Sequence, residues 1–376
     1  MSVYVGVDVH RKRLQVAVVD EGGAVRVNRN VPNGVEPVLS VIGELPVGTP
    51  VAFEAAFGGG WLVELLEDYG YAPHLVHPLR CKAIASARLK NDKVDAAILA
   101  RLLRADLLPE AWIAPPAVRQ LRALLRHRCQ LVRLRTLLRN RIHAVLADHG
   151  QDRPAGCWSG PGRQWLADLS LPPASRRVID DELALIDALL EPIARLDAQI
   201  GERAKTDPRV KSLTTLPGVG ELTALVILAE VGDFSRFANA RKLAAWAGLT
   251  PTVRGSDQVV RHGHISKQGS AWLRWILCEP AQTAKRSAEF SATYQAITRR
   301  RGKKIATIAV ARKLLSRAYH LLTDTDSTTP ATNPTARSRT SRPGPRRPDA
   351  AEDREGHQAP GELATSHEPA TRRSMT

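Results

Sequence analysis

Short apolar runs broken by charged residues fill the first part of the chain, and this alternation is typical of strands. The runs "VYVGVDVH", "LQVAVVD" and "AVRVNRNV" are separated by "RKR" and "EGG", which predicts three consecutive antiparallel strands. Further periodic segments predict a helix near Val35 to Leu45, a strand in "PVAFEA", a helix in "GWLVELLEDYG", a strand in "PHLVHP" and a helix that contains Asp92. We therefore expect an α/β domain over residues 1–113, with helices on the faces of a mixed sheet.

A seven-residue apolar repeat marks the middle of the chain. One helix is predicted from Pro116 to Gly150 and a second from about Arg177 to Lys205, which Pro192 should kink. The first helix has eight arginines and no acid between Ala111 and Ala147, whereas the second is rich in Asp and Glu. The repeats predict an antiparallel coiled coil over residues 114–208, and they consist of Leu124, Leu131, Leu138 and Val145 in one helix and Ile179, Ile186, Ile193 and Ile200 in the other.

The last part of the chain is predicted to be helical over residues 209–322. Its "LPGVG" segment has the form of a helix-hairpin-helix turn, in which glycine lets backbone N–H groups approach a phosphate, although a plain helix connection uses the same residues. The polar stretch "TPTVRGSDQVVRHGHISKQGS" is expected to be irregular. Residues 323–376, rich in Thr, Pro, Arg and Ser, cannot bury a core and are predicted to be a disordered tail.

The charge balance indicates a polyanionic partner. The chain has 54 Lys and Arg against 38 Asp and Glu, a net charge of +16, and the tail contributes equal numbers of both signs. The folded body is therefore strongly basic, which makes nucleic acid the first partner to consider and an acidic membrane surface the second. Pairing with acids on solvated faces accounts for about half of the arginines of the first long helix, and the rest exceed the acids available.

Cysteine usage and the N-terminus bear on the compartment. Four widely separated cysteines lack metal-ligand spacing, which argues against structural zinc and against a disulfide scaffold. The N-terminus reaches charged residues too soon for a signal peptide, and no apolar run approaches the roughly 18 residues of a membrane span. We expect a cytoplasmic, soluble protein that associates with the nucleoid.

Four carboxylates are expected to converge. Asp8 ends the first strand and Glu54 ends the fourth, so the two lie at one edge if these strands are neighbours. Asp92 and Asp95 are three residues apart on a helix and share a face. Such a cluster requires Mg²⁺ or Mn²⁺, and two such ions about 4 Å apart activate a nucleophile and stabilise the leaving oxygen of a phosphodiester.

Each acid also has an ordinary structural interpretation. Asp8 alone is typical of a turn after a strand, and Asp92 and Asp95 alone are compatible with a solvated face that pairs with Lys90 and Lys93. Glu54 is the stronger candidate, because an acid among apolar residues is costly without a partner. The combination in this order favours the metal site.

The ordered set of motifs resembles a known family. "GVDVH", "VAFEAAF", "VHPLR", "KNDKVDA", "LPGVG", "LAAWAGLTP", "ISKQGSAWLR" and "VARKLL" resemble the DEDD insertion-sequence transposases of the IS-one-ten and IS-eleven-eleven type. The resemblance covers roughly residues 3 to 322. It implies an RNase H-like N-terminal domain similar to the Holliday-junction resolvase RuvC, then a coiled coil and a C-terminal domain with a nucleophilic serine. It also implies guidance by a structured RNA, and it matches Asp8, Glu54, Asp92 and Asp95 to the DEDD positions.

The same resemblance assigns the serine. The family usually has Ser-Ser-Gly or Ser-Gly between the "GL.P" and "ISK.G" motifs, and counting through "TVRGSDQVVRHGH" places Ser256 on that serine, with Asp257 where glycine is commoner. Ser266 and Ser270 are the other candidates. Metal or the nearby Arg254, Arg261 and His262 are available to activate the hydroxyl, whereas a hydroxyl that only caps a turn is the ordinary interpretation.

These observations lead to one functional hypothesis and two rivals. The hypothesis is a transposase that attacks DNA at the element ends and target through Ser256, with metal at the four acids and a composite site in a dimer or tetramer. A metal-only nuclease or Holliday-junction resolvase would use the acids with water. A non-catalytic nucleic-acid-binding protein explains the charge and the "LPGVG" turn but gives no reason for Glu54.

Overall fold

The computed structural model describes residues 2–54, 60–84, 92–154, 156–256 and 259–326, and in a few of these, Ser256 among them, only the backbone. Its first part is a mixed five-stranded sheet with the strand order β3-β2-β1-β4-β5. The first three strands are antiparallel, and the other two run parallel to β1. The strands are β1 (Val3–Val9), β2 (Arg13–Asp20), β3 (Val25–Pro32), β4 (Pro50–Glu54) and β5 (Ala72–Val76). The predicted α/β domain with a mixed sheet is confirmed.

Helices cover both faces of this sheet. Helices α1 (Val35–Ile42) and α2 (Gly60–Asp68) pack on the face that carries the alternating valines of β1. Helix α4 (Asp92–Arg104) packs on the opposite face. The short helix α3 (Pro78–Ile84), which follows β5, was not predicted. Its seven residues are too few for an apolar period to stand out.

Gly6 allows α4 to lie directly against β1. A methyl group built on Gly6 would lie 2.7 Å from the backbone nitrogen of Ala100 and closer still to the carbonyl oxygen of Ala96. Only a residue without a side chain permits such contact between a helix backbone and a strand backbone. The first turn of α4 is thereby held close to the carboxyl end of β1.

Three long helices form the middle of the chain. They are α5 (Pro116–Asp148), α7 (Pro173–Ala188) and α8 (Leu190–Thr206), and the short α6 (Gly160–Asp168) precedes α7. The break between α7 and α8 falls at Leu189, three residues before Pro192. Pro192 has no N–H to donate to the carbonyl of Ala188, and its ring crowds that carbonyl, so the predicted kink is confirmed as a break.

Helix α5 runs antiparallel to α7 and α8, because Arg128 pairs with Asp197 while Arg141, further along, pairs with Glu182. The isoleucine repeat of α7 and α8 is buried as predicted. In α5, Leu138 of the predicted repeat is buried, whereas at Leu124 and Val145 the following residue is buried instead, because this helix packs on the sides of several helices rather than on one partner. The buried residues of α5 are Leu125, Cys129, Leu138, Ile142 and Leu146. The coiled coil stays a prediction.

The last part is mostly helical, but it is not all-α as predicted. The stretch expected to be irregular forms a two-stranded antiparallel hairpin of β6 (Pro251–Ser256) and β7 (Val259–Ile265). Its described side chains are mostly exposed, so no apolar alternation marked it as sheet. The helices are α9 (Pro208–Leu213), α10 (Glu221–Val231), α11 (Ala240–Trp246), α12 (Ala271–Ala284), α13 (Ala288–Arg301) and α14 (Lys303–Asp326).

Helix α14 extends four residues into the segment predicted as the tail. Residues 323–326 continue α14 to Asp326, since Thr323 donates its hydroxyl to the carbonyl of Tyr319 within the helix. The rest of the predicted disordered tail lies outside the described residues. In the described part of the chain, no helix is both long enough and apolar enough to span a membrane.

Trp112 joins the sheet to the helical part. The guanidinium carbons of Arg122 and Arg236 lie 5.5 and 4.6 Å from the centre of its ring. Arg122 donates to the carbonyls of Ala229 and Glu230, and Arg236 donates to that of Val231, so the two cations cap the end of α10. Burial and the neighbouring Arg122 lower the pKa of Arg236 to about 10. The described residues, up to Asp326, form one compact unit, and the three-domain division with boundaries after residues 113 and 208 stays a prediction.

Candidate active site

The strand arrangement brings Asp8 and Glu54 to the same edge. Strands β1 and β4 are parallel neighbours in which Val7 is opposite Phe53, so the next residue of each strand, Asp8 and Glu54, lies at the shared carboxyl end. Because side chains alternate along a strand, Asp8 projects on the same face as Gly6, the face covered by α4. The prediction that the carboxyl ends of these two strands lie side by side is therefore confirmed.

Helix α4 adds two more acids at this edge. Asp92 and Asp95 both lie in its first turn, where the positive end of the helix dipole favours negative charge. His10 Nε2 lies 3.2 Å from Asp8 Oδ2 and 3.4 Å from Asp92 Oδ1. One potential ligand atom from each of Asp8, His10 and Asp92 falls within a group whose members are all within 4.8 Å of one another.

The pKa shifts indicate how closely the acids share their surroundings. Burial raises the pKa of Asp8, His10 opposes this shift, and the negative charges of Asp92 and Asp95 raise the pKa further. Burial also raises the pKa of the Cys81 thiol, followed by the charges of Glu54 and Asp95. Asp95 thus acts on groups beside both strand ends, and the negative charge concentrated here is the kind that a cation relieves.

A polar ladder that begins at the buried Gln15 ties α4 to the sheet next to these acids. Gln15, opposite Asp8 in the β1–β2 register, is 1 % exposed. Its amide donates to Asn28 Oδ1 at 2.5 Å and accepts from Asn30 Nδ2 at 3.0 Å. Asn28 Nδ2 in turn donates to the carbonyl of Lys93 at 3.0 Å. Since Lys93 lies between Asp92 and Asp95, this bond ties the acid-bearing turn to β3.

The donor set fits a hard divalent cation. Carboxylate oxygens from two chain segments, Asp8 of β1 and Asp92 of α4, approach one point, and His10 adds a ring nitrogen. The competing interpretation, a face neutralised by lysines, finds no support at Lys93, which forms no ion pair with the described residues. Lys90 lies outside the described residues.

His10 and the polar ladder were missed by the sequence prediction. "GVDVH" places His10 two residues after Asp8, and this same-face spacing was the available signal. Gln15, Asn28 and Asn30 were a weaker signal, because polar residues inside strands are also typical of a solvated face.

Ser256 is the last residue of β6, paired with Val259 across the hairpin, and its side chain lies outside the described atoms, as do those of Arg254 and His262. Arg261 is exposed on β7. The hairpin forms no extensive interface with the five-stranded sheet or with α4 among the residues described. Among the described residues of one chain, no extensive packing therefore joins the strand that carries Ser256 to the elements that carry the acids.

The hydroxyls of the two other serine candidates differ in the hydrogen bonds that hold them. Ser270 caps the N-terminus of α12, where Oγ accepts from the backbone nitrogen of Leu273 at 3.2 Å and donates to Glu230 Oε2 at 2.7 Å. Both interactions are structural, so Ser270 is a poor nucleophile. Ser266 Oγ accepts from the backbone nitrogen of Gln268 at 3.5 Å.

Two other features that were predicted to bind nucleic acid, the arginines of α5 and the "LPGVG" turn, also hold the fold together. Four of the eight arginines of α5, namely Arg119, Arg126, Arg128 and Arg141, pair with acids. The "LPGVG" turn connects α9 and α10 as predicted, but a methyl group on Gly218 would lie 2.8 Å from the carbonyl oxygen of Pro280. Gly218, with φ of +78°, is therefore required by packing against α12, which favours the plain connection at that glycine.

Comparisons with known proteins agree with this architecture. The family model for DEDD transposases of the IS110 type matches residues 5–150, and the model described as transposase IS116/IS110/IS902 family matches residues 210–295. The chain is 29 % identical to the transposase for insertion sequence element IS1111A of Coxiella burnetii, over 85 % of this chain and 89 % of that protein.

Two further relatives span similar lengths. A probable family 20 transposase of Pseudomonas aeruginosa is 28 % identical over 82 % of this chain and 93 % of its own length. The insertion element IS110 uncharacterized 43.6 kDa protein of Streptomyces coelicolor is 26 % identical over 86 % of this chain and 95 % of its own length. Both family models and these relatives lead to one conclusion: the chain belongs to the IS110 family of insertion-sequence transposases.

Proposed function

We propose that this transposase cuts and rejoins DNA through Ser256, at a site completed by Mg²⁺ or Mn²⁺ held by Asp8, Glu54, Asp92 and Asp95. Membership of the family implies a DNA-cleaving and DNA-rejoining enzyme. The observation that carries the metal part is the group formed by Asp8, His10 and Asp92 at the first turn of α4. The strand order 3-2-1-4-5 is compatible with an RNase H-like domain of the RuvC type.

The metal would supply Lewis-acid stabilisation of charge at the scissile phosphate. The protein's own residues have distinct tasks in this proposal. Asp8 and Glu54 anchor the site on the rigid sheet, while α4 carries Asp92 and Asp95 and is held by the Asn28 contact. Arg261 lies on the hairpin two residues beyond Val259, the partner of Ser256 in the register, and its cation suits the negative charge that develops on the phosphate.

The exposure of the hairpin that carries Ser256 supports a composite site between two chains. The hairpin is largely exposed and, among the described residues, forms no extensive interface with the sheet or with α4 of its own chain, so it is free to reach the acids of a second copy. We therefore propose a dimer or tetramer that acts on the element ends and a target, together with a structured guide RNA. The basic balance of the chain, +16, suits both polyanions.

One alternative does not require Ser256 to meet the acids. A metal-only nuclease would assemble its site within one chain and use water as the nucleophile, so that Ser256 would be dispensable.

Trapping of a protein–DNA adduct tests the proposal. Wild-type protein, Ser256→Ala and Ser270→Ala are incubated with labelled element-end DNA, the element's structured RNA and Mg²⁺ and then run on a denaturing gel. We expect an adduct with the wild type and with Ser270→Ala, and none with Ser256→Ala. Cleavage by Ser256→Ala at the wild-type rate, without any adduct in the wild type, would establish the metal-only nuclease.

A further inference from the structure

A groove between α5 and α12 lies apart from the acid cluster. It encloses about 350 Å³ and is lined by seven residues of α5 together with Trp275 of α12. Clefts of this size accommodate small planar ligands. The polar groups in its lining are Arg128, Arg133, Thr136 and Asn140, and the remaining residues are apolar or aromatic.

Two tryptophans and one arginine form the rim of this groove. The guanidinium carbon of Arg133 lies 4.3 Å from the centre of the Trp272 ring and 5.3 Å from that of Trp275. The two indoles are nearly perpendicular, with their centres 6.0 Å apart. Trp275 is 36 % exposed, although large aromatic side chains usually stay covered unless they meet a partner.

The charges of the groove distinguish between its possible occupants. Arg128 is neutralised by Asp197, whereas Arg133 pairs with no carboxylate in the parts of the chain that the structure describes. The surrounding helix has no acid between Ala111 and Ala147. The groove thus offers an aromatic surface beside an unneutralised cation, which suits a ligand that is planar at one end and anionic at the other.

The size of the groove argues against a protein occupant. A stable protein interface involves about 20 to 30 residues on each side, and this groove has eight. An unpaired nucleotide meets both requirements, because its base stacks on an aromatic ring and its phosphate binds arginine.

We propose that the α5–α12 groove binds one unpaired nucleotide, with the base against Trp275 and a backbone phosphate at Arg133. This inference rests on the proposed function, since it describes how the same enzyme holds a single-stranded part of its nucleic acid. It places one recognition point on the helical part of the chain, away from the metal-binding acids.

Equilibrium binding tests the groove without requiring cleavage. Fluorescence anisotropy is measured with labelled single-stranded oligothymidylate and with a duplex of the same length. The variants are Trp275→Ala, Trp275→Phe, Arg133→Gln and, as a matched control on the same helix, Leu134→Ala, whose side chain is exposed but does not line the groove. Circular dichroism melting confirms that each variant is folded.

The expected pattern separates stacking from charge. Trp275→Ala should weaken single-strand binding about tenfold, because one stacked base is lost, and should leave duplex binding unchanged. Trp275→Phe should stay within about threefold of the wild type, since a stacking ring remains. Arg133→Gln should reduce the salt dependence of single-strand binding by about 0.7 in log–log slope. Leu134→Ala should match the wild type.

Two results would overturn the proposal. One is equal affinity of Trp275→Ala and wild type for the single strand, or an equal loss for both nucleic acids. The other is dissociation of an oligomer by Trp275→Ala in sedimentation, with single-strand binding unchanged, which would assign the groove to a second copy of the chain. Because the readout is binding, loss of the Ser256 adduct and loss of groove binding are distinguishable failures.

Discussion

Arg126 of α5 and Glu230 of α10 form a two-pronged ion pair, with Nε 2.9 Å from Oε1 and Nη2 2.8 Å from Oε2. Ser270 donates to the same carboxylate, so three helices meet at one buried acid. Glu230 is 4 % exposed, whereas Arg126 is 41 % exposed. The pair is therefore asymmetric, because only the arginine is able to turn to water when its partner is lost.

This asymmetry predicts which variant is less stable. Arg126→Ala should lower the free energy of unfolding by about 3 kcal/mol, since it leaves a buried carboxylate without its cation, and Glu230→Gln should cost less. Urea denaturation measures both. The matched control is Arg195→Ala, which breaks an exposed pair with Glu191 and should change stability by no more than about 0.5 kcal/mol. Equal losses for Arg126→Ala and Glu230→Gln would contradict the prediction.

The contact between Gly6 and α4 predicts a coupled loss of stability and metal affinity. Gly6→Ala should destabilise the protein by about 2 kcal/mol through overpacking, and it should weaken Mn²⁺ binding because α4 carries Asp92 and Asp95. Thermal melting and isothermal titration calorimetry measure the two effects. Gly201→Ala, in the middle of α8 with open space around the site, should instead stabilise by about 0.5–1 kcal/mol. Normal Mn²⁺ affinity in Gly6→Ala would show that the added methyl group does not move Asp92 and Asp95 away from the metal site.

The raised pKa of Asp8 predicts that the charge of Asp92 lowers the stability of the metal-free protein while it strengthens metal binding. Burial is the main cause of the raised pKa of Asp8, and the charge of Asp92 raises this pKa further in the folded, metal-free protein, so Asp92→Asn should lower the pKa of Asp8. A raised carboxyl pKa opposes folding at pH values where the unfolded acid is ionised. Asp92→Asn should therefore stabilise the metal-free protein at neutral pH, and this gain should shrink as the pH falls until Asp8 is protonated in both states.

The same substitution should weaken Mn²⁺ binding at least tenfold, because a ligand charge is lost. Denaturant unfolding as a function of pH measures the stability, and calorimetric titration with Mn²⁺ measures the metal affinity. Asp68→Asn, at the end of α2, is the control and should change neither quantity. Wild-type Mn²⁺ affinity in Asp92→Asn would remove Asp92 from the metal site.

The exposed basic segment between α13 and α14 predicts a nucleic-acid contact. Arg300 and Arg301 are exposed in the last turn of α13, and Lys303 and Lys304 are exposed at the start of α14. Substituting Arg300 and Arg301 by Gln should reduce the salt dependence of duplex binding by about two in log–log slope, since each phosphate contact releases about one counterion. Arg177→Gln, whose charge is satisfied by Asp181, should leave the slope unchanged. An unaltered slope in the double variant would exclude this segment from the interface.

Much of the fold was predictable because its signals are local or periodic. The strands β1 to β5 and the long helices follow from apolar alternation and from repeats such as that of Ile179 and Ile186. The hairpin of β6 and β7 was missed because its exposed residues bury no face that would impose a pattern. The stripe of α5 was predicted correctly at Leu138 but misplaced elsewhere, because Leu125 and Cys129 face partners that only the tertiary packing defines.

The candidate site was also predictable only where its signals are local or follow from the order of the strands. The convergence of Asp8 and Glu54 follows from the order of two strands, which a meander followed by a crossover makes probable by topology. His10, Gln15 and Asn28 could not be assigned from the sequence, because their roles depend on distances across strands and to α4. Likewise, the eight arginines of α5 look equivalent in the sequence, and only the structure separates Arg126, bound to Glu230, from Arg133, stacked on tryptophan.

The 33 residues of α5 give this helix a length of about 50 Å, and its two ends are anchored to different parts of the protein. Its beginning follows Trp112, held by Arg122 and Arg236, and its end packs with α6 and α7 through Leu146. A tilt of about 5° at the Trp112 end would carry the far end of a rigid helix through about 4 Å. The ion pairs of Arg126, Arg128 and Arg141, which hold α5 to three other helices along its length, oppose such a tilt, so the helix keeps its two ends at a fixed separation.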